Sequence, residues 1–130
     1  MNTTSRILGE ATRPPTEMEL TDPSCAYFYA KNTIKGPFPE GEAVIAKNTY
    51  WSYNYALQVI EGRFPKGEAV IATDPYCAYD YARDVIKGRF PEAEEAMAKE
   101  YPEYSKKYLK LFPDAKIEWY AREWIDWTQL

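Results

Sequence analysis

The side chains that could perform chemistry in this chain of 130 residues are mainly tyrosines and arginines, because it contains no histidine. The lack of imidazole excludes Ser-His-Asp and Cys-His nucleophile pairs and every metal site that needs His ligands. No Gly-rich phosphate loop or Gly-x-Ser-x-Gly sequence is present either. Two cysteines are too few for a zinc cluster or a disulfide framework, which favours a cytoplasmic protein. We therefore expect no enzyme activity, no cofactor and no metal site.

Arg63 and Arg89 are the side chains best suited to bind a small ligand. Each follows a glycine in the local sequence Gly-Arg-Phe-Pro, where a guanidinium could meet a phosphate or an acidic partner. The alternative is an ion pair with a nearby carboxylate of the next repeat, Glu42, Glu68 or Glu92.

The tyrosines recur at a fixed interval because the chain contains three aligned repeats of 26 residues. Residues 22–47 read DPSCAYFYAKNTIKGPFPEGEAVIAK, residues 48–73 read NTYWSYNYALQVIEGRFPKGEAVIAT, and residues 74–99 read DPYCAYDYARDVIKGRFPEAEEAMAK. Residues 1–21 form a degenerate N-terminal half repeat. Residues 100–130 are expected to form C-terminal capping helices, in which Trp119–Ile125 echoes Asp80–Ile86. Atypical ends on a regular middle are typical of a solenoid.

Each repeat predicts a long helix, a turn and a short helix. The long helices begin after the N-cap residues Asp22, Asn48 and Asp74 and end at Ile34, Ile60 and Ile86. Gly36, Gly62 and Gly88 stand where we expect a left-handed residue to close each helix. Phe-Pro then opens the short helix, whose first turn holds carboxylates that should face solvent, including Glu92, Glu94 and Glu95.

Neither helix is long enough to be stable alone, so stacking must supply the stability. The predicted fold is therefore all-α: a short α-solenoid of helix-turn-helix repeats, forming one domain over residues 1–130.

A helical wheel separates the packing positions of the long helix from its surface positions. In the first repeat Ala26, Ala30 and Ile34 form an apolar stripe, and Tyr27 and Tyr29 lie at its two borders. We interpret these tyrosines and their equivalents as packing residues, since a platform for stacking bases would need a basic groove beside it. The positions that differ between repeats lie on the opposite arc, which is the predicted solvent face.

Large apolar residues on this variable arc predict a partner-binding surface. Trp51 is its expected centre, and the other residues predicted to take part are Tyr50, Leu57, Asn54, Phe28, Tyr76 and Arg83. The alternative is that a terminal segment of the chain covers Trp51.

The charge of the chain bears on the class of partner. A net charge of −4 argues against general affinity for phosphate backbones, so no nucleic-acid partner is expected. No apolar run is long enough to cross a membrane. The aromatic segment 114–130 is expected either to close the solenoid or to form a homodimer contact.

The repeat units AYFYAKNTIKGPFPEGEAVIA, SYNYALQVIEGRFPKGEAVIA and AYDYARDVIKGRFPEAEEAMA resemble a short tandem helical repeat of poorly characterised proteins from bacteriophages and other large DNA viruses. The resemblance covers residues 22–99 and carries no catalytic residues. It implies a virus-encoded inhibitor or adaptor that binds a host protein, such as one acting in antiviral defence, in the host cytoplasm. The alternative function is a small-ligand or nucleotide-binding repeat protein, in which tyrosines of the groove between repeats stack a base and Arg63 or Arg89 meets a phosphate.

Overall fold

A computed structural model gives the structure of residues 12–100 and 102–115. All regular secondary structure in these two ranges is helical, which confirms the all-α prediction. The helices are α1 (Glu17–Thr21), α2 (Pro23–Phe28), α3 (Pro39–Ile45), α4 (Thr49–Asn54), α5 (Pro65–Ile71), α6 (Pro75–Asp80), α7 (Pro91–Glu100) and α8 (Pro102–Leu111). Across the described residues, none of these helices has the length and apolar character needed to cross a membrane. The predicted echo at Trp119–Ile125 lies outside the described residues.

Three of these helices continue without a break into a π-helix. The π-helical stretches are Tyr29–Ile34 after α2, Tyr55–Ile60 after α4 and Tyr81–Ile86 after α6. We call each α-helix with its π-helical continuation the first, second and third long helix. Their ends at Ile34, Ile60 and Ile86 are those predicted from the sequence.

The predicted N-caps of the long helices are also confirmed. The Asp22 carboxylate accepts the N–H of Cys25 at 3.0 Å, and the side-chain oxygen of Asn48 accepts the N–H of Trp51 at 2.9 Å. Asp74 accepts from the third long helix in the same way. Each bond satisfies an N–H that has no partner within the helix.

The residue that closes each long helix differs from the prediction. Lys35, Glu61 and Lys87 are the left-handed residues, with φ of 64°, 60° and 58°, and each glycine follows one position later with φ outside that region. The wider π-helical turn is the reason, because the N–H groups of Lys35 and Gly36 both donate to the Ala30 carbonyl, at 2.7 and 3.1 Å. The helical wheel assumes the geometry of an α-helix, so it could not predict the wider turn of the π-helix.

The predicted apolar stripe forms the core. Its alanines, among them Ala26, Ala30, Ala56 and Ala82, are completely buried. Tyr29, Tyr55 and Tyr81 are at most 1% exposed, and each ring packs on the Phe of its own repeat with centroids 4.8–5.2 Å apart. These three tyrosines are packing residues, as predicted.

The chain divides into two compact units, Met1–Val70 and Ile71–Leu130. In the first unit α1 contacts α2 and α3, and the first long helix contacts the second along both its α-helical and its π-helical part. In the second unit α6 contacts α7 and α8, and α7 contacts α8.

A buried contact that recurs among the described residues of both units ties a helix to the turn before it, and we call it the tyrosine bridge. In the first unit the hydroxyl of Tyr55 accepts the N–H of Phe38 at 2.9 Å and donates to the Glu42 carboxylate at 2.7 Å. In the second unit Tyr108 accepts from Phe90 at 2.7 Å and donates to Glu94 at 2.6 Å.

A buried serine accompanies each tyrosine bridge. Ser52 donates to the Ile45 carbonyl at 3.0 Å, and Ser105 donates to the Met97 carbonyl at 2.9 Å. Helix α8 therefore makes the contacts of a repeat's long helix. The spacing of Pro102, Ser105 and Tyr108 matches that of Thr49, Ser52 and Tyr55, but one inserted residue breaks the 26-residue period and hides the match in the sequence.

The segment before the first repeat carries a variant of the same contact. Arg13 pairs with Glu19 at 2.6 Å, and the Tyr29 hydroxyl donates to the Arg13 carbonyl. Pro14 follows Arg13 where the repeats have Phe, and proline has no N–H to donate. The tyrosine hydroxyl therefore acts as donor to the backbone here.

Candidate functional site: an exposed aromatic surface

Three aromatic side chains from two neighbouring helices form a continuous patch on the first unit. Phe28 ends α2, whereas Tyr50 and Trp51 lie in the first turn of α4. The ring centroid of Trp51 is 5.4 Å from that of Phe28 and 4.8 Å from that of Tyr50. Phe28 is 47% exposed and Tyr50 57% exposed. We call Phe28, Tyr50 and Trp51 the aromatic surface.

Local sequence explains why these rings meet. The caps at Asp22 and Asn48 fix where α2 and α4 begin, and α2 packs on α4. Tyr50 and Trp51 follow the Asn48 cap by two and three residues, so they project from the exposed first turn. The aromatic surface is thus built on the ends of two packed helices rather than on a loop.

Trp51 is half-buried, whereas the wheel predicted an outward position. The reason is Tyr27 of the first long helix, whose ring centroid lies 5.1 Å from that of Trp51. Tyr27 itself is 4% exposed, and burial raises the pKa of its hydroxyl. A wheel describes one helix and contains no neighbour, so it could not place Tyr27 beneath Trp51. The sequence indicated this contact only through the adjacency of the two aromatic residues Tyr27 and Phe28.

Two other predicted residues flank the aromatic surface on the same long helix. Asn54 is half-buried, and its side-chain amide donates to the Tyr50 carbonyl at 2.9 Å. Leu57 is half-buried in the π-helical part of the second long helix. Neither is among the exposed large side chains, so the exposed area of this surface comes mainly from Phe28 and Tyr50.

Tyr76 and Arg83 belong to a different cluster, in the second unit. Tyr76 is 63% exposed and contacts Tyr104 with ring centroids 4.8 Å apart. Arg83 lies over the ring of Tyr79 at 5.2 Å and pairs with Asp84 at 2.8 Å and Asp80 at 3.1 Å. The hydrogen bond with Asp84 raises the pKa of Arg83, and burial raises the pKa of Asp80. The part played by Tyr104 was missed because α8 escaped the repeat alignment.

Arg63 and Arg89, the candidate ligand-binding residues, are both engaged in two-pronged ion pairs. Arg63 donates to both oxygens of Glu68, at 2.8 and 3.0 Å. Arg89 donates to both oxygens of Glu94, at 2.9 and 2.7 Å, and this bonding raises the pKa of Arg89. A phosphate at either arginine would have to displace a carboxylate.

The position of Glu94 corrects one expectation. Its carboxylate was expected in solvent with Glu92 and Glu95, yet Glu94 is 2% exposed, while Glu92 and Glu95 are exposed. It is buried because Arg89 and Tyr108 together supply three hydrogen bonds to its oxygens. The arginine thus pairs with the glutamate five residues on rather than with Glu92.

The two thiols lie on the long helices and are half-buried and free. Burial raises the pKa of Cys77 to about 11 and also raises that of Cys25. Both are therefore protonated at neutral pH, which makes them slow nucleophiles. Within residues 12–100 and 102–115, no three His, Cys, Asp or Glu side chains are grouped so that they could hold a metal ion.

The aromatic surface is the feature that the repeat itself does not require. Cys25 and Cys77 occupy the position of Trp51 in the other two repeats, and Asp80 occupies that of Phe28 in the third. The same helices form in each case. Comparisons of the chain with protein-family models, with curated proteins and with solved structures find no match.

Proposed function

We propose that this chain is a non-catalytic protein-binding module whose partner docks on the aromatic surface. The observation that carries the proposal is the exposure of Phe28 and Tyr50 around a half-buried Trp51, on helices that also form in repeats with other residues at these positions. Protein interfaces concentrate their binding energy in a few Trp and Tyr anchors that lie in well-packed surroundings.

The contacts among the rings favour binding over a purely structural role. Trp51 is held by Tyr27 on one side and by Phe28 and Tyr50 on the others, so its rotamer is fixed before a partner arrives. An anchor that is already ordered costs less conformational entropy on binding. The outer rings keep about half of their area in water, and a partner would gain by covering it.

The wider proposal is a virus-encoded inhibitor or adaptor that binds a host protein, such as one of antiviral defence, in the host cytoplasm. The resemblance of residues 22–99 to tandem repeats of viral proteins supports it. We also propose that the repeats form an α-solenoid. The tyrosine bridge supports this within each unit, since Tyr55 and Tyr108 make equivalent contacts with the preceding turn.

Affinity capture with a variant borrowed from the protein's own repeats tests the proposal. Tyr50→Ser places the residue of the first repeat in the second, and Phe28→Asn places the residue of the second repeat in the first. Because both substitutes already occur at these positions, the double variant should fold. We expect it to capture the partner from host lysate at least tenfold less efficiently than the wild type, as measured by quantitative mass spectrometry and then by the Kd of the purified pair.

Tyr76→Ser is the matched control, because Tyr76 occupies the position of Tyr50 in the third repeat and is equally exposed. It should retain the partner. Trp51→Ala should also lose the partner, and its three ring contacts imply a stability cost of about 1–2 kcal/mol, which thermal unfolding will measure. If the folded double variant still captures every protein that the wild type captures, the proposal is wrong.

A further inference from the structure

We infer that the aromatic surface binds an acidic peptide segment, one in which large apolar side chains are followed or preceded by carboxylates. The inference rests on the proposed function and specifies the chemistry of the partner. It comes from the charges that surround the three rings rather than from the rings themselves.

Two lysines beside the aromatic surface have no carboxylate partner among the described residues of the first unit. Lys31 and Lys35 follow Phe28 on the first long helix and its closing turn, and both are exposed. The other long cations differ, since Arg13 pairs with Glu19, Arg63 with Glu68 and Lys66 with Glu42. The remaining cation, Lys47, is exposed and directly precedes Asn48, the N-cap of the second long helix.

The two long helices that build this surface contain no acidic residue. Residues 23–34 and 49–60 include neither Asp nor Glu, although the chain as a whole has 20 acidic and 16 basic residues. Asp22 precedes the first long helix, but its carboxylate is engaged by the Ser24 hydroxyl and the Cys25 N–H. Other acids near these helices are Glu61, which closes the second long helix, and Glu19 of α1, which pairs with Arg13.

The third long helix shows the contrast. Arg83 stands at the position of Lys31 in this helix. It pairs with Asp80 and Asp84, which neutralise its charge. An exposed lysine at this position, with no acidic residue on its own helix, is therefore a property of the first long helix and not of the repeat in general.

Each part of such a peptide would have a separate task. Apolar side chains covering the rings would supply most of the affinity, whereas carboxylates near Lys31 and Lys35 would set orientation and association rate. Charge pairs at a solvated rim are screened by salt, so binding should weaken as ionic strength rises. Single-stranded nucleic acid also combines rings with negative charge, but it requires a basic groove along several nucleotides, and two lysines do not form one.

Selection from a random library of displayed 12-residue peptides, with the full-length protein immobilised, tests the inference directly. We expect enriched peptides to combine an aromatic or large aliphatic residue with two or more Asp or Glu. Synthetic peptides from the selection should bind Lys31→Glu/Lys35→Glu at least tenfold more weakly than the wild type by fluorescence polarisation. The same selection on that double variant should enrich Lys and Arg instead.

Lys87→Glu is the matched control, because Lys87 closes the third long helix as Lys35 closes the first. It should leave peptide affinity unchanged within a factor of two. Enriched peptides that need Trp51 but carry neutral or basic flanks would overturn the inference and leave the proposed function standing. A selection that enriches no peptide would overturn the inference. Peptides whose affinity is unchanged by Phe28→Asn, Tyr50→Ser and Trp51→Ala would also overturn it, and they would count against the aromatic surface as the binding site. Binding of a dT20 oligonucleotide that is lost in Trp51→Ala would overturn it in favour of nucleic acid.

Discussion

At the scale of single residues, the hydroxyl of Tyr55 does more than its ring. The ring fills the core against Phe64, and the hydroxyl joins the Phe38 N–H to the Glu42 carboxylate. Tyr55→Phe keeps the ring but leaves a buried N–H without a partner, which costs about 1–3 kcal/mol. We expect a loss of that size in urea unfolding. Tyr50→Phe removes an exposed hydroxyl and should change the free energy of unfolding by less than about 0.5 kcal/mol, and equal losses would show that the bridge contributes nothing.

The buried carboxylate of Glu94 leads to a second prediction. Glu94→Gln removes the charge that Arg89 and Tyr108 surround and leaves the guanidinium without its counter-charge. Removing one partner of a buried ion pair costs about 3–5 kcal/mol. Because Arg89 is partly exposed, we expect the loss in free energy of unfolding, measured by thermal or urea denaturation, to lie near the lower end of that range. Glu95→Gln, one residue away and exposed, should be close to neutral. If Glu94→Gln and Glu95→Gln changed the stability equally, both carboxylates would face solvent, as the sequence predicted.

Some features of single residues could be predicted from the sequence, and others could not. The caps, the alanine stripe and the buried tyrosines followed from spacing within one helix, and the structure confirms them. The half-burial of Trp51 and the burial of Glu94 depend on neighbours from other helices. No periodicity within a single segment contains that information.

At the scale of elements, the left-handed residue and the glycine after it give a paired prediction. Lys87 has φ of 58°, a conformation that costs a side chain about 1 kcal/mol or more. Lys87→Gly should therefore leave the melting temperature unchanged or raise it. Gly88→Ala should be tolerated, because an added Cβ would meet its nearest neighbour, the Cγ2 of Ile86, only at 3.6 Å.

The reverse result would support the placement of the left-handed residue expected from the sequence. If Gly88→Ala lowered the free energy of unfolding by about 1–2 kcal/mol while Lys87→Gly also destabilised, the glycine would be the left-handed residue. Element boundaries themselves were predictable, because Asx caps, N1 prolines and terminal isoleucines mark them in each repeat. The π-helix was not, since its widening arises from backbone hydrogen bonds that leave no composition signal.

At the scale of the whole molecule, the tyrosine bridges of Tyr55 and Tyr108 make the free energy of unfolding fall at alkaline pH. Burial raises the pKa of Tyr55 and of Tyr108 above the ordinary value of 10. Below pH 10 both hydroxyls are protonated in the folded and the unfolded chain, so the stabilisation is complete. Above pH 10 the unfolded chain releases these protons while the folded chain retains them, and the free energy of unfolding falls.

Urea unfolding at pH 8 and pH 11 measures this effect. The wild type should lose more stability between the two pH values than Tyr55→Phe, in which one of the two hydroxyls is absent. Tyr50→Phe again serves as the control and should lose as much as the wild type. If all three proteins show the same difference, the buried tyrosines do not couple stability to pH.

The boundary between the two compact units could not be predicted from the repeat. The 26-residue period is uniform across residues 22–99, yet the two units meet in sequence between Val70 and Ile71, within α5. A repeat alignment treats all three copies as equal and contains no such boundary. The aromatic surface and the bridge of Tyr55 both belong to the first unit, and the bridge of Tyr108 belongs to the second.

The tyrosine bridge also turns two backbone amides into reporters of motion. The N–H groups of Phe38 and Phe90 donate to no carbonyl of their own helix, but to a hydroxyl on the helix that follows. Deuterium can replace these hydrogens only when the two helices separate, so their exchange rates measure that opening rather than fraying of a helix end. In Tyr55→Phe the amide of Phe38 should exchange faster than in the wild type, while that of Phe90 stays slow. Isotope exchange would thus follow the loosening of each unit separately within the intact chain.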